Sequence, residues 1–215
     1  MLKSEVFQIK LCLANKNCHF RIMTEERTKR ITNVFNKRQQ GLGIVLENVS
    51  DPHNISAVMR TADAVGVQDI YILNTVIAPH VKWGTKSSSS AAKWLSIHQF
   101  TDIDSCIKVL RERFDKIYTT HLSDDAQNIY DMDLTENIAL VFGNEHGGIS
   151  KEFLAESDGN FLIPQVGIIK SLNISVACAV CLYEAYRQKE RAGHYITKNY
   201  IGAKADQLKK DWGID

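Results

Sequence analysis

Three short stretches of the chain gather side chains able to orient a substrate or move a proton. The first is Ser50-Asp51-Pro52-His53-Asn54, followed within the same segment by Arg60. The second, Gly143-Asn144-Glu145-His146-Gly147-Gly148, sets a carboxylate and an imidazole between glycines. The third runs from Gln165 and ends in Lys170-Ser171-Leu172-Asn173. Carboxylates and imidazoles are general acids and bases. A guanidinium offers a fixed fork of donors but is a poor base. Glycine lets backbone approach a ligand closely. Each stretch follows a short apolar run, so all three fall where strands would end.

Taken singly, each has an ordinary explanation. His53, Ser56, Arg60 and Asp63 recur at helical spacing and would share the helix face opposite an apolar stripe. A surface helix with an Arg60–Asp63 pair worth a few tenths of a kcal/mol accounts for that face equally well. Asn54 could be a helix cap. The glycine-flanked Glu145 could stand on a tight solvated loop. A metal reading would combine Glu145 and His146 with His121 or His53, but neither H-E-x-x-H nor a paired C-x-x-C supports it, so no metal is expected. Cys178 and Cys181 lie among Ala and Val in mid-helix and read as buried small residues. No G-x-G-x-x-G follows the first strand, and no G-x-x-x-x-G-K-[ST] occurs. An adenosine-containing cofactor would have to be held by other loops.

The elements that position these residues alternate. Thr24 is a plausible N-cap for a basic first helix with Ile31, Val34 and Phe35 on its apolar side, ended by Gly41 and Gly43. "GIVLENV" is a strand. Ile55, Val58, Met59, Ala62 and Val65 mark a helix closed by Gly66. "DIYIL", "KIYTTHL", "IALVFG" and "NFLI" read as strands, with helices at "IDSCIKVLRERF", at "SKEFLAES" capped by Ser150, and from about Asn173. "KSSSSAAKW" reads as a polar loop. This order predicts an α/β fold with a mostly parallel sheet covered on both faces, and ligands at the carboxyl ends of its strands.

A length of 215 residues with 44% hydrophobic and 24% charged content suits one domain with a real core. No apolar run is long enough for a membrane span, and the first residues lack a signal-peptide pattern. Five cysteines, an odd number, suit a reducing cytoplasm better than a disulfide framework. The net charge of +1 conceals basic ends. Residues 21–40 hold six Lys or Arg against two Glu, and residues 187–215 hold seven against four acids. Two solvated helices would explain this, and so would a split phosphate-binding surface.

Together, "LENVSDPHNISAVMRTADAVG", "IALVFGNEHGGIS" and "FLIPQVGIIKSLNISVA" resemble the three motifs of the SpoU family of RNA ribose methyltransferases, within the SPOUT superfamily, in order and spacing. The resemblance runs from about residue 24 to 194. The basic first helix and the "YEAYRQKERAG" tail make it closest to the branch that methylates the ribose of guanosine 18 in tRNA. It implies a deep trefoil knot at the C-terminal end of the sheet, at about residues 138–186 of a core spanning 44–186. The basic helix at 23–43 and the extension at 187–215 flank that core. Residues 1–22 match nothing in the family and read as an extra segment, with Met23 an alternative start.

The resemblance further implies S-adenosylmethionine held in a bent shape by loops near Thr120, Gly143, Ile163, Ser171 and Leu172, without a metal. It implies a homodimer joined through the knotted region, and a tRNA partner. Arg60 takes the central catalytic place, with Asn54, Glu145, Ser171 and Asn173 around it. Methyl transfer to a ribose 2′-hydroxyl is an in-line displacement. The hydroxyl must be held about 3–3.5 Å from the methyl and must lose a proton. Arg60 is expected to position and polarise the ribose and its phosphate. Arg27, Arg30, Arg38, Arg187 and Lys189, with Lys29, Lys37, Arg191 and His53, are expected to meet RNA. Lys86, Ser90 and Lys93 are weaker candidates. Where the family often has a Lys after the second-motif Glu, this chain has His146. An enzyme acting on 23S rRNA or on a tRNA wobble ribose is the alternative within the same chemistry. A non-catalytic RNA-binding protein and a zinc hydrolase are the alternatives outside it.

Overall fold

Strand β1 (Gln39–Glu47) is buried along most of its length because it lies inside a sheet covered on both faces. The computed structural model describes residues 24–80, 91–145, 147–169, 171–196 and 200–214. Within them, α1 (Glu25–Phe35) precedes β1, and α2 (Pro52–Ala64) leads to β2 (Val67–Leu73). Then come β3 (Ser96–Phe100), α3 (Ile103–Arg111), β4 (Lys116–Thr120) and β5 (Gln127–Asn128). β6 (Ile138–Phe142), α4 (Lys151–Ala155), β7 (Gly159–Leu162), α5 (Ile174–Arg191) and α6 (Ala203–Trp212) complete the order.

The seven strands lie in the order β3-β2-β1-β6-β4-β7-β5, and every pairing is parallel. The chain steps outward from β1 to β3, then crosses to the other side of β1. The β1/β6 boundary is therefore a topological switch point, where the carboxyl ends of a parallel sheet leave a crevice. One face carries Ile44, Leu46, Ile70, Leu140 and Phe142 against Ile55 and Met59 of α2 and Cys178 and Leu182 of α5. The other carries Val45, Tyr71, Leu73 and Val141 against Cys106 and Leu110 of α3 and Phe153 of α4. A separate cluster joins Ile31 and Phe35 of α1 to Tyr200, Leu208 and Trp212 of the C-terminal segment.

Several expectations are corrected here. Gly41 and Gly43 do not end α1, which stops at Phe35; both belong to β1. Gly43 is small for packing reasons, since a Cβ there would lie 2.4 Å from the Phe114 ring. β3, β5 and α6 join the predicted elements. β3 is only partly buried at an edge, and α6 shows a sparse stripe of Ala205, Leu208 and Trp212 within a basic tail. Residues 1–22, the serine run, Lys86, Ser90, His146 and Lys170 lie outside the described residues.

Candidate active site

β1 runs into Asn48, whose φ of 51° is left-handed, a conformation Asn tolerates better than most residues. Its Oδ1 accepts from the backbone N–H of Thr75 at 2.8 Å and of Val76 at 3.1 Å. Its Nδ2 donates to Thr75 Oγ1 at 2.9 Å, and its carbonyl accepts from Asn144 Nδ2 at 2.7 Å. One residue thus braces the exits of β1, β2 and β6.

The loop after β6 closes on itself. Asn144 and Gly148 exchange two backbone hydrogen bonds of 2.9 Å. A Cβ on Gly143 would sit 2.3 Å from the Gly148 carbonyl, so only glycine fits. Gly148 supplies the φ of 67° that turns the chain back. Glu145 stands on this turn. Its Oε2 accepts from Ser50 Oγ at 3.2 Å and Ser50 N at 3.4 Å, and its Oε1 accepts from Asn54 Nδ2 at 3.0 Å.

Asn54 can make that contact because it does not cap α2. Asp51 does so, accepting from His53 N at 2.8 Å. Asn54 is buried, and its Oδ1 accepts from Asn173 Nδ2 at 3.1 Å. Asn173 does cap α5, its Oδ1 accepting from Ser175 N at 2.9 Å and Ser175 Oγ at 2.6 Å. Its amide therefore serves the helix with oxygen and the site with nitrogen. The path Glu145–Asn54–Asn173 joins the three motifs. Burial raises the Glu145 pKa, but hydrogen bonds from its own backbone, Asn54 and Ser50 outweigh it and hold the carboxyl below its usual range.

A pocket of about 570 Å³ opens beside this path. Leu122, Phe142, Phe161, Ile163 and Leu172 give it apolar walls, and Thr120, Gly143, Glu145, Ser171 and Asn173 also line it. All five residues expected at the cofactor thus border one cavity, and four of the five expected at the reacting centre are linked to each other or to that cavity. Arg60 is the exception. It is exposed on α2 and does not line the pocket within the single chain.

Two expected phosphate contacts are corrected. Arg38 is wholly buried: its Nη2 pairs with Asp63 Oδ1 at 2.5 Å and its guanidinium lies 5.1 Å over the Trp212 ring. Asp63 accordingly pairs with Arg38 and not with Arg60. Lys189 is 1% exposed, and its ammonium donates to the carbonyls of Thr135 at 2.9 Å and Glu136 at 3.3 Å. Neither cation is presented to a phosphate. Ser56, expected on the polar face of α2, is also fully buried. Arg27, Arg30 and His53 are exposed, as is Arg187, which pairs with Glu184. Cys178 and Cys181 are core residues whose thiols burial pushes up, that of Cys181 to about 12. Among the described residues no three His, Cys, Asp or Glu side chains cluster as a metal site would need. The sequence reading assigned no role to Asn48, Ser50 or Asn144. Their one signal is a run of amide and hydroxyl side chains directly after two strands.

Residues 41–183 match the SpoU rRNA Methylase family, which is about two thirds of the chain. The chain belongs to the SpoU rRNA Methylase family. A Thermus thermophilus relative, the tRNA (guanosine(18)-2′-O)-methyltransferase, is 41% identical over 189 residues, covering 88% of this chain and 96% of its own length. The crystal structure of the Aquifex aeolicus TrmH/SpoU tRNA modifying enzyme superposes with a TM-score of 0.78 at 35% identity, covering 87% of this chain and 95% of that one. The SpoU methyltransferase AviRb of Streptomyces viridochromogenes, crystallised with the cofactor AdoMet, gives a TM-score of 0.64 at 25% identity. That match covers 71% of this chain and 59% of AviRb.

Proposed function

We propose that this chain transfers the methyl group of S-adenosylmethionine to the ribose 2′-hydroxyl of guanosine 18 in tRNA. The observation that carries the reading is the Glu145–Asn54–Asn173 path at the mouth of the pocket. It stands in a chain whose relative of that activity matches over nearly the full length of both proteins.

The pocket's residues fit such a cofactor. Its volume lies in the range of small-molecule sites, roughly 300–1,000 Å³, and its apolar walls suit a purine. Thr120, Gly143, Ile163, Ser171 and Leu172 would hold it, and the ionised Glu145 suits a cationic ligand nearby. When bound, S-adenosylmethionine supplies an electrophilic sulfonium methyl. The chain's own residues then have to place the hydroxyl and take up its proton. The Glu145–Asn54–Asn173 path fixes amide orientations before substrate arrives, so no reorganisation is needed at that point. Arg60 brings a fork that clamps the ribose and its phosphate.

Val176 and Tyr183 leave apolar surface exposed on α5, and Val166, Ile168, Ile169 and Leu172 leave more just before it. A homodimer would cover this surface, and Arg60 of one protomer would serve the pocket of its partner. We place the trefoil knot at about residues 138–186 of the 44–186 core. The basic helix grips tRNA through Arg27 and Arg30 and the far end of α5 through Arg187, with His53 of α2 as a further contact. Incubating bulk tRNA with labelled S-adenosylmethionine and mapping the product tests the reading. Label on the ribose of guanosine 18 supports it; label at the wobble ribose, or on rRNA alone, overturns it.

A further inference from the structure

A second concavity, of about 460 Å³, lies apart from the cofactor pocket. Arg27, Arg30 and Val34 of α1 line it together with Trp94, Trp212 and Asp63. Trp94 and Trp212 meet edge to face with ring centroids 5.2 Å apart, so its aromatic surface is held rigidly. Asp63 keeps its side chain 34% exposed although Arg38 already binds Oδ1. That pairing fixes the carboxylate and leaves Oδ2 without a donor among the described residues. Arg27 and Arg30 stand one turn apart on α1, and neither pairs with a carboxylate among the described residues.

Two arginines beside Glu26 on α1, an aromatic surface and an oriented acceptor are together chemistry that can hold an unstacked nucleotide. A carboxylate discriminates among bases. Guanine offers it two adjacent donors, N1–H and N2–H₂, whereas uracil offers one. Asp63 also lies one turn beyond Arg60 on α2, so the concavity adjoins the guanidinium assigned to the reacting ribose.

We infer that this concavity is a subsite for a guanine nucleotide of the RNA substrate, flanking the one that is methylated. The inference rests on the methyl-transfer reading for its substrate. The base lies against Trp94, Asp63 takes its Watson–Crick donors, and Arg27 and Arg30 hold its phosphate.

The test has two arms. In the first, GMP and UMP are titrated separately into the ¹⁵N-labelled protein, and the Trp94 indole N–H resonance, assigned with Trp94→Phe, is followed. GMP should shift it saturably, UMP should bind at least about tenfold more weakly, and Val34→Trp, which fills the concavity from an exposed helix position, should abolish the response. A resonance unmoved by GMP, or moved equally by UMP, overturns the inference. In the second, tRNA methylation is measured for wild type, Val34→Trp and Trp94→Phe, with melting curves confirming the fold. Val34→Trp should raise KM for tRNA about tenfold with kcat little changed, and an unchanged KM overturns the inference. Absence of methylation by wild type would sink the catalytic reading instead, and the nucleotide titration would still judge the subsite.

Discussion

Arg38→Met removes a guanidinium that solvent does not reach. Arg38 holds Asp63 Oδ1 at 2.5 Å and donates to the carbonyls of Val67 at 3.3 Å and of Asp63 and Trp94 at 3.4 Å. Removing one member of a buried pair costs about 3–5 kcal/mol. Asp63 is a third exposed and can rehydrate, which lowers the expected cost to about 2–4 kcal/mol. Met fills much of the vacated volume beside Trp212, so a large cavity term is not added. For a chain of this size 1 kcal/mol moves Tm by about 2–4 °C, so Arg38→Met should melt about 5–15 °C lower. Circular dichroism measures the melting, and filter binding of tRNA over a range of salt measures the phosphate contacts. The salt slope should match wild type. A Tm within about 2 °C of wild type, with a salt slope shallower by about one, would show that Arg38 meets a phosphate after all and would refute the reasoning.

Arg60→Lys keeps the charge and loses the fork, so turnover should fall roughly 100-fold while tRNA binding changes little; near-normal turnover would contradict its assigned role. Gly143→Ala drives a Cβ into the Gly148 carbonyl and should cost about 2 kcal/mol or more together with loss of S-adenosylmethionine binding, read by calorimetry and melting; a variant that binds and melts like wild type would speak against the tight loop. Burial pushes the Lys189 ammonium down to about 8 from its ordinary 10.5. Between those values the unfolded chain binds more protons than the folded one, so the residue's contribution to stability rises with pH across that window. Urea melts of wild type and Lys189→Met from pH 8 to pH 10 should show that rise in wild type only, and a pH-independent difference between the two would count against it.

Local patterns carried β1, β2, β4, β6 and β7, the helix starts at Thr24 and Ser150 and the loops after β1 and β6, because those depend on neighbouring residues; the edge strand β3 and the two-residue β5 have too little apolar pattern to be read that way. The contact of Asn54 with both Glu145 and Asn173 depends on β6 crossing back beside β1 and on α5 packing over α2. No local pattern encodes that strand order, and only the resemblance to a family pointed to it. Lys189 was legible and was misread: Cys178, Leu182 and Ala185 set a stripe on α5 that reaches Lys189 four residues later, on the buried face. Arg38 was not legible. It sits in the same basic run as Arg27 and Arg30, and what separates it from them is α6, packed there from the far end of the chain.

That packing has a consequence for how the chain is made. Ile31 and Phe35 leave the ribosome early, whereas their partners Leu208 and Trp212 come ~180 residues later. At about 5–20 residues per second they wait roughly 10–35 s for a docking surface. During that interval α1 is an amphipathic helix lacking Tyr200, Leu208 and Trp212, most of its packing partners, and Arg38 has no Trp212 indole above it. The sheet can assemble first, and the seam between the two basic ends closes last. A nascent chain stalled before Trp212 would therefore present an open α1 to chaperones while its central core was already built.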